Sequence, residues 1–331
     1  MEKIRQHEIE GALELYSADP WIFRPSELYE ISGALREELR GHNIYLIGRR
    51  QRITFDPGSI KLSKNGESVS GTFCVNEKGR ISTFPFEFES ATGLPITGLG
   101  AIEYPYHHLR LVFDGQHHFQ FRISDVIRYS ASNLGHHANL KIEYVGQSFG
   151  DEGDSDGLQR LIGKTGKQGH GSFQKVLADL SDRHPDSESH ILFYSFEFYK
   201  NYTYMGGWVP AVHGFDHDGN RLDNLLNARY SRSNRIDLIE AGLIRHFQPK
   251  YNEIYKKTFP DESHLMLQSL FEMDVTGLAV SLSTMEHRLG VYSDVIAPSP
   301  AHCAQFSIVD DKDRASFLDL ATPTPPPKAT P

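Results

Sequence analysis

Residues 235–252, RIDLIEAGLIRHFQPKYN, constrain the fold more than any other stretch of the chain. Read at about 100° per residue, they form an amphipathic helix. Ile236, Ile239, Leu243, Ile244 and Phe247 fall on one apolar arc, and Leu238 is the one large apolar residue outside it. Glu240 lies inside the arc. A carboxylate in a buried stripe is costly unless a cation, a metal or hydrogen bonds compensate it. Glu240 is therefore either half of a buried ion pair (or a side chain snorkelling off the stripe's edge) or a metal ligand.

The 331 residues leave room for two or three domains. With a net charge of −9, any contact with nucleic acid has to come from a local basic patch. The cysteines, Cys74 and Cys303, are far apart and form no CxxC, which argues against a disulfide framework or a thiolate zinc site. MEKIRQHEIEG is too polar for a signal peptide and no 18-residue apolar run exists, so a cytoplasmic protein with no membrane contact is expected.

Period and turn chemistry divide the chain into five regions. Residues 1–42 read as helices, the second capped by Ser26 and stopped at Gly41. Residues 43–122 read as a β-rich unit with strands NIYLIG, SIKLSKNGESVSGTFCV and HLRLVFDGQHHFQFRI, turning at Asn65-Gly66 and Asp114-Gly115. Its paired histidines, His107-His108 and His117-His118, point to opposite faces of their strands and read as surface positions. Residues 123–260 mix strand and helix signals: KIEYVGQ, an acidic loop, two short helices broken at 166–171, and the strong strand SHILFYSFEFY. A Tyr-, Gly- and Arg-rich insertion follows at 200–234, with a hairpin turn expected at Asp218-Gly219. Residues 261–320 return to a β-rich pattern, and the Pro-rich 321–331 reads as a disordered tail.

Phosphate-binding chemistry concentrates at 158–175, which carries Arg160, Lys164, Lys167 and Lys175 with no acid, and His170 among them. Arg160 faces away from the apolar Leu158, Leu161 and Ile162, with Lys164 one turn on. Arginine holds phosphate oxygens bidentately, whereas lysine acts as a point charge. Arg229, Arg232 and Arg235 recur every three residues beside Tyr230, a pattern suited to positioning a nucleic-acid backbone.

Taken in order, EYVGQS with Tyr144 and Gly146, LQRLIGK with Arg160, IEAGLI with Glu240 and QPKYN with Asn252 resemble the GIY-YIG nuclease family over 123–260. For the family's first strand, Ile127-Arg128-Tyr129 is the best counterpart, 15 residues before Tyr144. The resemblance implies an α+β fold in which a small antiparallel sheet flanked by helices sits between the two β-rich regions. It implies that Glu240 binds Mg²⁺ (or Mn²⁺), Arg160 holds the scissile phosphate and Tyr144 helps activate water. Lys164 or His170 would fill a second basic position, and Asn252 and Tyr129 would complete the set.

The expectation is a magnesium-dependent endonuclease acting on duplex or branched DNA, with no small-molecule cofactor beyond the metal. The alternative is a catalytically silent protein of the same fold that binds nucleic acid or regulates. A third reading makes the β-rich flanks a regulatory shell, with the acidic loop masking the basic face.

Overall fold

Three strands far apart in sequence meet in one sheet of the computed structural model, which describes every residue except 1–2, 91–93, 150–155, 164–170, 205–208, 228, 262, 311–312 and 322–331. The strands used below are β1 (Ile9–Ser17), β2 (Ile44–Phe55), β3 (Leu140–Gln147), β4 (Ser187–Tyr194), β5 (Phe196–Tyr204), β6 (Gly277–Ser283) and β7 (Ala301–Ser307). The helices are α1 (Gly157–Ile162), α2 (Gly171–Arg183), α3 (Phe215–Asn227) and α4 (Arg232–Phe247). The architecture is mixed α+β with strands predominating, and no helix among the described residues is long and apolar enough to cross a membrane.

β2 is the centre. Its first half pairs antiparallel with β3 on one edge, from Ile44↔Gln147 to Arg49↔Lys141, and with β4 on the other, from Ile44↔Tyr194 to Gln51↔Ser187. Its last residues, Arg52 to Phe55, leave that trio and pair with Ser68–Glu77, so one strand runs from the central sheet into the β-rich region. Side chains alternate across the sheet. Ile44 and Leu46 join the core shared with α4, while Tyr45 and Ile47 join the core covered by α1 and α2.

β1, β5, β6 and β7 make a second sheet in the order β5-β1-β6-β7, with β1 parallel to β6 and antiparallel to β5. α4 packs against both sheets. Its burial therefore extends beyond one arc: Leu238, placed outside the stripe by periodicity, is 0% exposed. Gly242 permits the close approach, since a Cβ there would sit 2.9 Å from Val280 Cγ2 and 3.2 Å from Phe306 Cε2. The Ser231 hydroxyl caps the helix by accepting from the Asn234 N–H at 3.0 Å, and Gln248 ends it in the left-handed region at φ 47°.

Several expectations are corrected. Residues 9–17 form an interior strand rather than part of a helix; buried along most of its length, it lacks the alternation that marks a half-exposed strand. The short helix Gly33–Glu38 is capped by Ser32, and Ser26 lies in a 3-10 turn. SHILFYSFEFY is two strands, broken at Ser195 and assigned to different sheets. Asp218-Gly219 lies inside α3, not in a hairpin turn. His107 is buried against Arg24, while His117 and His118 are exposed as expected. The Pro-rich stretch from residue 322 lies outside the described residues.

The second sheet is tied to the chain's far end through Asp274, which accepts from His7 Nε2 at 2.9 Å and Arg221 Nε at 2.7 Å and also pairs with Arg314. Burial works to raise its pKa, but these partners hold it down to about 2. Because the folded pKa is depressed, the stabilisation is complete above the ordinary value of 3.8 and is lost as pH falls through about 2. Asp274→Asn is expected to cost on the order of 2 kcal/mol at neutral pH. The gap to wild type in denaturant unfolding should narrow as the solution is acidified below pH 4; a gap that stays constant would remove Asp274 from this role.

Candidate active site

At the head of β2 and the end of β3, two tyrosines close over a glycine. Tyr45 and Tyr144 have ring centroids 6.1 Å apart, inclined at 32°. Pairing sets Gly146 directly opposite Tyr45. A Cβ on Gly146 would stand 2.5 Å from Tyr45 Cζ, 2.6 Å from its Oη and 2.7 Å from Tyr144 Cε1, closer than side chains approach. Gly146 thus serves ring packing inside a strand. Its backbone has no positive φ.

Arg160 enters from the last turn of α1, its side chain exposed while Leu158 and Leu161 are buried. The carboxylate of Asp156 caps that helix, accepting from the Gln159 N–H at 2.8 Å. Gly157 is held against the chain just ahead of β2 by its N–H bond to the His42 carbonyl at 2.9 Å, two residues before the strand begins. The Arg160 charge reaches Tyr45, Tyr144 and Glu240, favouring the ionised form of each. Burial nevertheless dominates both phenols: it drives the pKa of each above the ordinary value for tyrosine, and the negative charge of Glu240 adds to the shift. Both phenols therefore keep their protons at neutral pH. For Tyr144 to activate water, its phenol has to be lowered by Arg160 or a bound metal against the effect of burial.

Glu240 is partly buried on α4. Burial first, then the nearby Asp237, pushes its carboxyl up to about 7, against hydrogen bonds from Gln147 and the charge of Arg160. Gln147, the last residue of β3, also donates through Nε2 to Asp237 Oδ1 at 2.6 Å. One amide therefore serves two carboxylates one helical turn apart. Among the described residues, no group of three or more His, Cys, Asp or Glu side chains is arranged to hold a metal.

Asn252 touches this site through the backbone. It is buried; its Oδ1 accepts from the Val145 N–H at 2.9 Å and its Nδ2 donates to the Val145 carbonyl at 2.8 Å. With both faces of the amide used on β3, it positions the strand and is not a phosphate ligand. Tyr129 is elsewhere: it ends the helix Ile123–Tyr129, 53% exposed beneath Arg128, on no strand beside β3. Lys164, Lys167 and His170 lie outside the described residues. Lys175 is exposed on α2, and Arg229 is exposed ahead of α4. Arg232 donates to Asn43 Oδ1 at 2.7 Å, and Arg235 lies 4.2 Å from the Phe198 ring centroid.

Tyr45, Gln147 and Asp237 were missed from sequence. Tyr45 was visible in NIYLIG but lies about 100 residues before Tyr144, and only the β2–β3 pairing brings the two together. Compared with family models, curated proteins and solved structures, the chain matches none.

Gly146→Ala is expected to force the two rings apart and destabilise the protein by about 1–3 kcal/mol, as overpacking commonly does. The near-ultraviolet circular dichroism of the tyrosines should change with it. Wild-type stability together with an unchanged tyrosine signal would show that the rings do not depend on this space.

Proposed function

We propose that this protein is a divalent-cation-dependent endonuclease that hydrolyses phosphodiester bonds in DNA, with a GIY-YIG-like site. The observation that carries the reading is the convergence of Tyr45 and Tyr144, on neighbouring strands, with Arg160 and Glu240 from two different helices. On this reading the first-strand tyrosine is Tyr45 rather than Tyr129. The residues between β2 and β3 are then an insertion, of a kind loops tolerate at modest thermodynamic cost.

The carboxylates fit a hard divalent cation. Glu240 and Asp237 share one amide donor, and Glu240 is under-compensated to the point that its carboxyl rises to about 7. Magnesium commonly takes one or two protein carboxylates and keeps several waters, so a cluster of three protein ligands is not required. When bound, the ion supplies positive charge on the leaving side of the phosphate.

The remaining work falls to the chain's own groups. Arg160, exposed at the end of α1, binds non-bridging phosphate oxygens through its planar fork. Tyr144, protonated at neutral pH, donates a hydrogen bond that orients the phosphate or the attacking water, while Tyr45, fully buried beside it, holds its ring in place; neither acts as the base while it holds its proton. Gln147 fixes the carboxylates, and Asn252 fixes the strand that carries Tyr144 and Gln147.

The two raised phenols also favour a second reading, a silent protein that binds nucleic acid without cutting it. Duplex, branched and single-stranded DNA, incubated with and without Mg²⁺ or Mn²⁺, separate the two. Cleavage of at least one substrate by wild type, reduced about 100-fold or more in Glu240→Ala, is the expected result. Binding with no cleavage of any substrate would favour the silent reading. Undiminished cleavage by a folded Glu240→Ala would remove Glu240 from the mechanism.

A further inference from the structure

Next to the candidate active site, along the same two backbone segments, lies a cavity of about 340 Å³. Ile44 lines it where the adjacent Tyr45 belongs to the site, and Ile239 lines it where the adjacent Glu240 does. Ile44, Ile236 and Ile239 underlie it, buried in the core and at most 5% exposed, and the partly exposed Phe198 supplies an aromatic wall. The charged lining is unbalanced, with Arg40, Arg232 and Arg235 against Glu197 alone.

The three arginines are not equivalent. Arg40 is already paired with Glu37 at 3.0 Å. Arg232 donates to the neutral amide oxygen of Asn43, and Arg235 stacks on Phe198 with its Nε buried and lacking a hydrogen-bond partner among the described residues. Neither Arg232 nor Arg235 forms an ion pair with a described residue. Two guanidinium groups faced by the single carboxylate of Glu197, beside an aromatic wall, suit a phosphate monoester carrying a flat body.

We propose that this cavity seats a single nucleotide, its phosphate on Arg232 and Arg235 and its base against the Phe198 wall. The choice of a nucleotide rests on the nuclease reading, because a strand crossing the active site would present its neighbouring residue here. The preference for an anion with a flat body rests on the cavity alone. Occupancy would press on Ile44 and Ile239 and so on the backbone that carries Tyr45 and Glu240.

The test is calorimetric titration of the full chain with deoxyadenosine 5′-monophosphate, deoxyadenosine and inorganic phosphate, with thermal melting as the folding control. The monophosphate should bind with one-to-one stoichiometry, more tightly than either fragment. Arg232→Ala should weaken it about tenfold or more while melting like wild type. Arg235→Lys, which keeps the charge and loses the planar fork, should also weaken it. Absence of saturable monophosphate binding would overturn the proposal, as would an unchanged affinity in folded Arg232→Ala or phosphate binding as tight as the monophosphate. Binding retained in a wild type that cleaves no substrate would instead sink the nuclease reading and leave the cavity's assignment standing. Cleavage without monophosphate binding would do the reverse.

Discussion

Everything at the candidate site depends on the antiparallel pairing of β2 with β3. That register sets Gly146 opposite Tyr45 and so creates the only kind of space in a strand that an aromatic ring can enter from the neighbouring strand. A slip of β3 by one residue would turn Tyr144 to the α4 side of the sheet and leave Tyr45 without its partner. The Asn252 amide, bound to both polar groups of Val145, and the Asn43 carbonyl, bound by the Ser148 N–H at 2.8 Å, brace the end of β3 where such a slip would begin.

The electrostatics set Glu240, together with Glu10 and Asp156, which burial also pushes above the ordinary carboxylate value, apart from the carboxylates held in tight ion pairs. Glu143 has Arg49 at 2.6 Å, Glu188 has Arg50 at 2.8 Å, and Asp274 has Arg221 at 2.7 Å. Those groups are held well on the ionised side or sit in direct ion pairs, as buried charges ordinarily require. Glu240 is compensated chiefly by an amide that Asp237 also uses. A protein with arginines to spare at other buried acids leaves this one under-compensated, beside a basic helix end and two protonated phenols. Perturbed groups cluster where chemistry is done, and that clustering gives the carboxylate its functional weight.

Local pattern made much of this legible. The α4 periodicity, its anomalous glutamate, the KIEYVGQ strand and the outward-facing Arg160 all follow from residue spacing, and the structure has each of them. What failed was mostly non-local. Leu238 looked exposed because one apolar arc implies one packing partner, whereas α4 lies against two sheets. β1 looked helical because a strand buried on both faces loses its alternation. Tyr45 was assigned to a separate β unit because no local rule links a strand head to a partner about 100 residues on. Asn252 read equally as a phosphate contact or a backbone cap, and an asparagine after a proline reveals nothing about which backbone it grips, here that of Val145.

The placement of β1 has a consequence for how the chain acquires its shape. β1 lies between β5 and β6, and the buried Glu10 side chain meets the Thr276 hydroxyl 266 residues later. One edge of β1 thereby stays unpaired until residues 277–283 have been made, and contacts this remote carry a large loop-closure cost before they return any stabilisation. α4 packs on the sheet that β6 completes, so the helix bearing Glu240 reaches its final environment late. During synthesis β1 is an exposed, apolar edge looking for a partner, the part of the molecule most exposed to mispairing and to capture by chaperones.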